Sequence, residues 1–428
     1  MLTATSPDDA ARRFLRSLSK PSRLLIAVSG GSDSTGLLIA LKRAIATHGF
    51  PHTLAAATVD HALRPASTSE AAWVSALCAK LDIVHHTRRW VADKPKTGIP
   101  AAAREARYGL LAEIARQCDA DAIVTGHTRD DQIETVAMRA SRANDENLGL
   151  AGMAPATLFD RRIWILRPFL DITREAIRDS LRRIGQTWID DPSNADRTYE
   201  RVRMRQDNAA INVDPEAGLR RRALSQATAD WLEHHATLIS GCVIKLDPPA
   251  LIAQPEILRH GMATLAAVLG GKPHRPAAQA TDKLMRLAAT ERDSGSLTLS
   301  GCLVVRRRDG VYMLREKRGL LPLPLPPGAT IVWDGRFEFR NHTARVLRVE
   351  PAAVSSILPD LPGLARAAMT RISPEIRTED GHVVLPDTDI ESCPYLPLFD
   401  RFLPAFDVAL ADRIAAILGR GPTLSCPI

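Results

Sequence analysis

The chain is poor in the residues that mark sulfur chemistry, membrane spans and base-stacking surfaces. Its six cysteines, Cys78, Cys118, Cys242, Cys302, Cys393 and Cys426, are scattered, and no two stand in a Cys-x-x-Cys spacing. In a reducing compartment such singletons behave as small buried hydrophobes, and they provide neither a zinc knuckle nor a redox pair. No apolar run approaches the ~18 residues that a bilayer span needs, so no membrane partner is expected. The opening Met-Leu-Thr-Ala-Thr-Ser-Pro-Asp-Asp has neither the basic nor the apolar region of a secretory signal. A cytoplasmic protein is therefore expected. Aromatic residues are 4% of the chain, with six Trp and four Tyr, too few for a platform that stacks several single-stranded bases.

What remains is an ordinary globular balance, 45% hydrophobic and 25% charged over 428 residues. It excludes a disordered or collagen-like chain and suggests two or three domains at ~150 residues each. The formal charge is +7, unevenly spread: from Pro351 onward six Arg and no Lys face ten acids, a net of −4, so residues 1–350 carry +11. A basic body fits a polyanionic partner such as nucleic acid; composition alone leaves plain solubility as an equal reading.

Along the chain, short apolar runs at 23–29, 53–59, 83–91 and 122–125 alternate with helical spacing at 35–45, 69–81, 101–116 and from 128 onward. Strands alternating with helices of this length predict an α/β domain with a parallel sheet over residues 1–213. From 215 to about 290 apolar residues recur every three or four positions without strand runs, which predicts a mainly helical domain over 214–317 ending in a hairpin at Asp309-Gly310. Residues 318–328 hold four prolines and read as a stiff linker. A second hairpin at Asp334-Gly335 and a terminal helix over 407–418 predict a small α+β domain over 329–428, whose role the pattern leaves open.

The strongest chemical signal is Ser29-Gly30-Gly31-Ser32-Asp33-Ser34, between the first strand and the first helix of the alternation. Two glycines let the backbone approach a phosphate, three serines add hydroxyls, and the following helix offers unpaired N–H groups. No Gly-Lys-Ser/Thr follows, so this is not a Walker A loop, and Gly-x-Gly-x-x-Gly is absent. An ordinary strand–helix turn is the bland alternative. Further on, His127, Asp131 and Glu134 are spaced to share one face of a helix that leaves the carboxyl end of a strand. Carboxylates there can hold Mg²⁺ against phosphates; alone, the same residues read as helix capping. Asp60 and His61 close the second strand on the same sheet edge, and Arg104 and Arg107 open a helix towards it. Arg201, Arg203, Arg205 and Arg220, Arg221, Arg222 are candidate phosphate-backbone contacts for a nucleic acid, or simply a solvated basic surface.

Ser-Gly-Gly-x-Asp-Ser after the first strand resembles the PP-loop of the N-type ATP pyrophosphatases, which split ATP to AMP and pyrophosphate while adenylating a substrate oxygen. Val59-Asp60-His61-Ala62-Leu63-Arg64, Ala103-Arg104-Glu105-Ala106-Arg107-Tyr108 and the run Thr125-Gly126-His127-Thr128-Arg129-Asp130-Asp131-Gln132-Ile133-Glu134-Thr135 narrow the match. So do Gly149-Leu150-Ala151-Gly152-Met153, Arg167-Pro168-Phe169-Leu170 and Trp188-Ile189-Asp190-Asp191-Pro192-Ser193-Asn194. Together they are similar to the tRNA(Ile)-lysidine synthase family, closely over roughly residues 20–205 and weakly to about Glu316. Two positions depart from it: the family usually has a second histidine where this chain has Thr128, and Arg-Asn-x-x-Arg where it has Arg201-Val202-Arg203-Met204-Arg205.

The resemblance implies that ATP adenylates O2 of the wobble cytidine in a tRNA(Ile) with a CAU anticodon, and that L-lysine then displaces AMP. It implies ATP binding by Ser29, Gly30, Gly31, Ser32, Asp33 and Ser34, and Mg²⁺ on Asp33 and Asp131. Asp33, Arg104, His127, Asp130 and Asp131 are the expected catalytic set, with Asp60, His61, Arg64, Arg107 and Glu134 around the substrate. A PP-loop tRNA thiolase, a glutaminase-fed synthetase and a non-catalytic tRNA-binding protein are the rivals. Isolated cysteines count against the first, the lack of a glutaminase-like segment against the second, and the intact loop against the third. The sequence leaves open whether a second copy of the chain is a partner.

Overall fold

A computed structural model describes residues 6–60, 67–91, 97–140, 147–190, 213–290, 294–352, 361–369 and 371–428. Two compact units emerge, Met1–Gly218 with Leu424–Ile428, and Leu219–Thr423.

The first unit is the expected α/β layer. Its strands are β1 (Arg23–Ala27), β2 (Thr53–Asp60), β3 (Val84–Arg89), β4 (Ala122–Thr125), β5 (Ala156–Phe159) and β6 (Ile163–Leu166). Within the unit they lie in the order β5-β6-β4-β1-β2-β3. All neighbours are parallel except the β5–β6 hairpin. β1, β4 and β6 are near-continuous apolar runs because helices cover both faces of a parallel sheet. The helices are α1 (Pro7–Ser17), α2 (Ser32–His48), α3 (Ser67–Lys80), α4 (Ile99–Gln117), α5 (Arg129–Ala140) and α6 (Arg174–Arg183).

Two features of this layer place the site. From β1 the chain steps to β2 and β3 on one side, while β4 and β6 lie on the other, so the carboxyl ends of β1 and β4 flank a topological switch point. Open α/β sheets bind ligands at such a point. Helix α6, far along the chain, packs on α2. A Cβ on Gly36 of α2 would stand 2.3 Å from Ile177 Cγ2 of α6, so only glycine permits that approach.

The second unit overturns the expectation of a mainly helical domain. Helices α7 (Ala217–His235), α8 (Pro255–Leu269) and α9 (Ala278–Ala288) are present, and so is a five-stranded antiparallel sheet. It comprises β7 (Ala236–Ile239), β8 (Val243–Leu246), β9 (Ser294–Leu299), β10 (Cys302–Arg307) and β11 (Gly310–Arg315), in the order β7-β8-β11-β10-β9. Two turns escaped the sequence reading, Ser240-Gly241 and Ser300-Gly301. Each has both residues at positive φ (51° and 69°; 47° and 79°), the geometry of a tight hairpin turn. The second splits what reads as one extended run, Leu297–Val305, into two strands.

Further on, β12 (Leu323–Leu325) lies within the proline-rich stretch and joins β15 (Leu347–Pro351), β16 (Pro374–Thr378) and β17 (Val383–Val384). β13 (Thr330–Trp333), β14 (Phe337–Asn341) and β18 (Ile390–Pro394) form another sheet, turning at Asp334-Gly335 as expected. Helix α10 (Gly363–Met369) places Ala365, Ala368 and Met369 in one apolar cluster with Val243, Val305, Tyr312 and Leu314 of the five-stranded sheet. α11 (Val408–Ile417) follows. Among the described residues no helix is long and apolar enough to cross a membrane.

Candidate active site

The loop from β1 to α2 is shaped by its own hydroxyls. Ser34 Oγ accepts from Ser29 N–H at 3.1 Å and lies 3.2 Å from Ser29 Oγ. Thr35 Oγ1 donates to Gly30 O at 3.2 Å. Gly31 caps α2 without a side chain, so no side-chain oxygen competes for the amides that open the helix. That end also carries the helix's positive charge, which suits an anion. The loop after β4 closes on it: a Cβ on Gly126 would lie 2.9 Å from the Asp33 carbonyl. Ile189 N–H donates to Gly30 O at 2.9 Å, laying the Trp188–Asp190 stretch beside the loop.

Three expected acids converge on one arginine that the sequence reading missed. Arg174 Nε donates to Asp33 Oδ2 at 2.8 Å, its Nη2 lies 3.4 Å from Asp131 Oδ1, and its backbone N–H donates to Asp130 Oδ2 at 2.8 Å. Burial works against the charge of Arg174, but Asp33, Asp131 and Asp130 more than reverse this and raise its pKa. One turn on, Arg178 Nε is 3.4 Å from Ser32 Oγ, and its guanidinium lies 5.8 Å from the Trp188 ring centroid.

The remaining expected residues are placed differently. His127 precedes α5, so it does not share a helical face with Asp131 and Glu134; its Nδ1 lies 2.9 Å from Thr125 Oγ1. Glu134 is buried. Asp60 is buried at the end of β2, 3.8 Å from Arg89 Nε. Arg104 and Arg107 sit over the ring of buried Tyr108, at 5.1 and 5.0 Å from its centroid. Burial pushes the Tyr108 phenol up, yet Arg107, Arg104 and Arg167 outweigh it and bring it down to about 7. His61, Arg64, Arg201, Arg203 and Arg205 lie outside the described residues. In the second unit Arg220 and Arg222 are exposed, whereas Arg221 is taken up by Asp407, with Nε to Oδ1 at 3.0 Å.

Among the described residues no group of three or more His, Cys, Asp or Glu could hold a metal alone. Asp33 and Asp131 still fit Mg²⁺, which commonly takes one or two carboxylates with phosphate oxygens and water. One guanidinium spans both side chains, so they lie within a few ångströms of a shared point.

The PP-loop domain family matches residues 6–209. The tRNA(Ile)-lysidine synthase of Rhizobium meliloti (strain 1021) is 42% identical over 96% of this chain and 95% of its own length. The chain belongs to the tRNA(Ile)-lysidine synthase family. The family's enzymes from Mesorhizobium japonicum and Brucella canis are 38% and 37% identical, over 99% and 94% of this chain and 98% and 96% of their own. The likeness therefore runs through both units, well beyond Glu316, where the motifs alone become unrecognisable. Thr128, the departure from this lysidine synthase family's usual histidine, has a clear local task. Its N–H and Oγ1 donate to Asp131 Oδ2 at 2.8 and 2.9 Å, fastening the start of α5.

Proposed function

We propose that this chain ligates L-lysine to C2 of the wobble cytidine in the CAU anticodon of tRNA(Ile), in the cytoplasm. In this reading the cytidine O2 attacks the α-phosphorus of ATP and pyrophosphate leaves. The lysine ε-amine then adds at C2, loses a proton, and expels AMP with the former O2. A cytosine carbonyl oxygen leaves poorly; adenylation makes it a good leaving group. The loop Ser29–Ser34 and the first amides of α2 hold the phosphates. Mg²⁺, held by Asp33 and Asp131, would offset phosphate charge. Lysine must react as the free amine, so Asp130 or His127 is assigned to its proton and Arg104 to charge developing on the substrate. Arg220 and Arg222, exposed on the second unit, are assigned to tRNA phosphates.

The observation that carries this reading is the switch-point loop with Asp33, Asp131 and Asp130 gathered beside it, in a chain related to lysidine synthases over nearly its whole length. The cysteines count against sulfur transfer: none is in a disulfide, and burial pushes the Cys78 thiol up to about 11, away from the reactive thiolate. The test is incubation with ATP, radiolabelled lysine and tRNA. Stable label in tRNA(Ile) together with AMP release is the expected result; AMP release without lysine incorporation would rule the ligase out.

A further inference from the structure

We propose that Arg174 is a positioning residue that makes Mg²⁺ binding at Asp33 and Asp131 conditional on nucleotide. The inference rests on the ATP-site reading above and concerns the order in which that site fills.

All four oxygens of the two carboxylates are engaged inside the protein. Asp33 Oδ1 accepts from Ser32 Oγ at 2.9 Å and Asp131 Oδ2 from Thr128. The other two, Asp33 Oδ2 and Asp131 Oδ1, both face Arg174, at 2.8 and 3.4 Å. The Ser32 and Thr128 donors carry no net charge, whereas a guanidinium neutralises part of what would attract a cation. Arg174 is also held from behind. It opens α6, its backbone N–H is bound to Asp130, and Arg129 N–H donates to Ile172 O at 2.9 Å just upstream. Its side chain is only 17% exposed, so it cannot swing into water at little cost.

A free cation approaching this pair must displace a fixed positive charge and leave it buried without a partner, which is unfavourable. Phosphate changes the balance. Arginine binds phosphoryl oxygens readily, so a triphosphate on the Ser29–Ser34 loop gives Arg174 a second anion to turn to and frees carboxylate oxygens. Arg178, four residues on and on the same face of α6, already reaches Ser32 and adds a second guanidinium for the phosphates.

The experiment measures Mg²⁺ binding calorimetrically, and by the shift in melting temperature, on the full chain with MgCl2 as the only ligand. Wild type should show no saturable binding in the low millimolar range. Arg174→Gln, which keeps a hydrogen-bond donor but not the charge, should bind at least about tenfold more tightly, the effect of losing one adjacent charge. Arg174→Lys, which keeps the charge, should stay near wild type. Saturable wild-type binding overturns the proposal, whether or not the Gln variant folds. So does a folded Gln variant that melts lower but binds Mg²⁺ no better, which would make Arg174 a purely structural pin. The assay contains no ATP, lysine or tRNA, so its failure is distinct from failure of the lysine-labelling test.

Discussion

Each unit contains an arginine–aspartate cluster, and the two differ in what surrounds them. In the first, a single guanidinium, Arg174, faces Asp33 and Asp131 and donates its backbone N–H to Asp130. In the second, Asp334 lies between Arg315 and Arg336, with Arg315 Nη2 at 3.0 Å and Arg336 Nε at 2.6 Å, all three largely buried. Spare donors there are absorbed by backbone: Arg315 Nη1 donates to Glu316 O at 2.8 Å and Arg336 Nη2 to Ile372 O at 2.6 Å. Acids outnumber the cation in the first cluster, in the first turns of α2, α5 and α6 at the mouth of a parallel sheet. Two guanidiniums share Asp334 in the second, with Glu316 3.9 Å from Arg315, and carbonyls complete it between a strand, a hairpin turn and the segment after α10. A charge cluster closed by its own backbone is a fastening; one left with excess charge beside a glycine loop keeps charge to offer a ligand.

The sharpest way to break this comparison is to remove the acid from each cluster. Asp33→Ala should reduce AMP formation by ~10³-fold or more, a loss of electrostatic stabilisation at the reacting phosphates of about 4 kcal/mol. The melting temperature should hardly move. Near-wild-type turnover would take the loop carboxylate out of the mechanism. Asp334→Ala should do the reverse. It strands two buried guanidiniums, so stability falls by about 3 kcal/mol, read from denaturant unfolding, with nucleotide binding retained while the chain is folded. A variant as stable as wild type would show that this cluster fastens nothing.

A smaller effect separates the units by pH. Tyr108 in the first unit ionises at about 7 when folded, against ~10 for an ordinary phenol. A folded pKa below the unfolded one means stability rises with pH between those values, by at most ~1.4 kcal/mol per pH unit, and the gain disappears as pH falls through 7. Ultraviolet titration should show one of the four tyrosines ionising near neutrality, and Tyr108→Phe should abolish that step. If all four ionise together near ~10, the guanidiniums around Tyr108 do not act as described.

The phosphate loop was legible because its six residues are contiguous and lie between a strand and a helix. Arg174 was not: its partner Asp33 is 141 residues away. One local sign existed. A cation at the first position of a helix opposes the helix dipole, and such breaches of local rules gather at functional sites. His127 was misread by extending the helical period two residues too early, since α5 begins at Arg129. In the second unit the helical spacing over 215–290 reflects α7, α8 and α9, but it was read as a mainly helical domain. The error was in the gaps, where four-residue strands such as β7 and β8 are too short for periodicity to distinguish from helix. Cutting at residue 328 would also strip α10 from the sheet it covers, so deleting 329–428 tests stability before it tests tRNA recognition.

The packing of Gly36 on Ile177 also sets an order of events on the ribosome. Arg174 is translated 43 residues after Asp131. At ~5–20 residues per second this is a delay of a few seconds, and α6 must then dock on α2 before the guanidinium reaches its acids. During that interval the growing chain already contains the phosphate loop and both aspartates without their counter-charge. The loop is therefore made before the segment that sets its electrostatic balance.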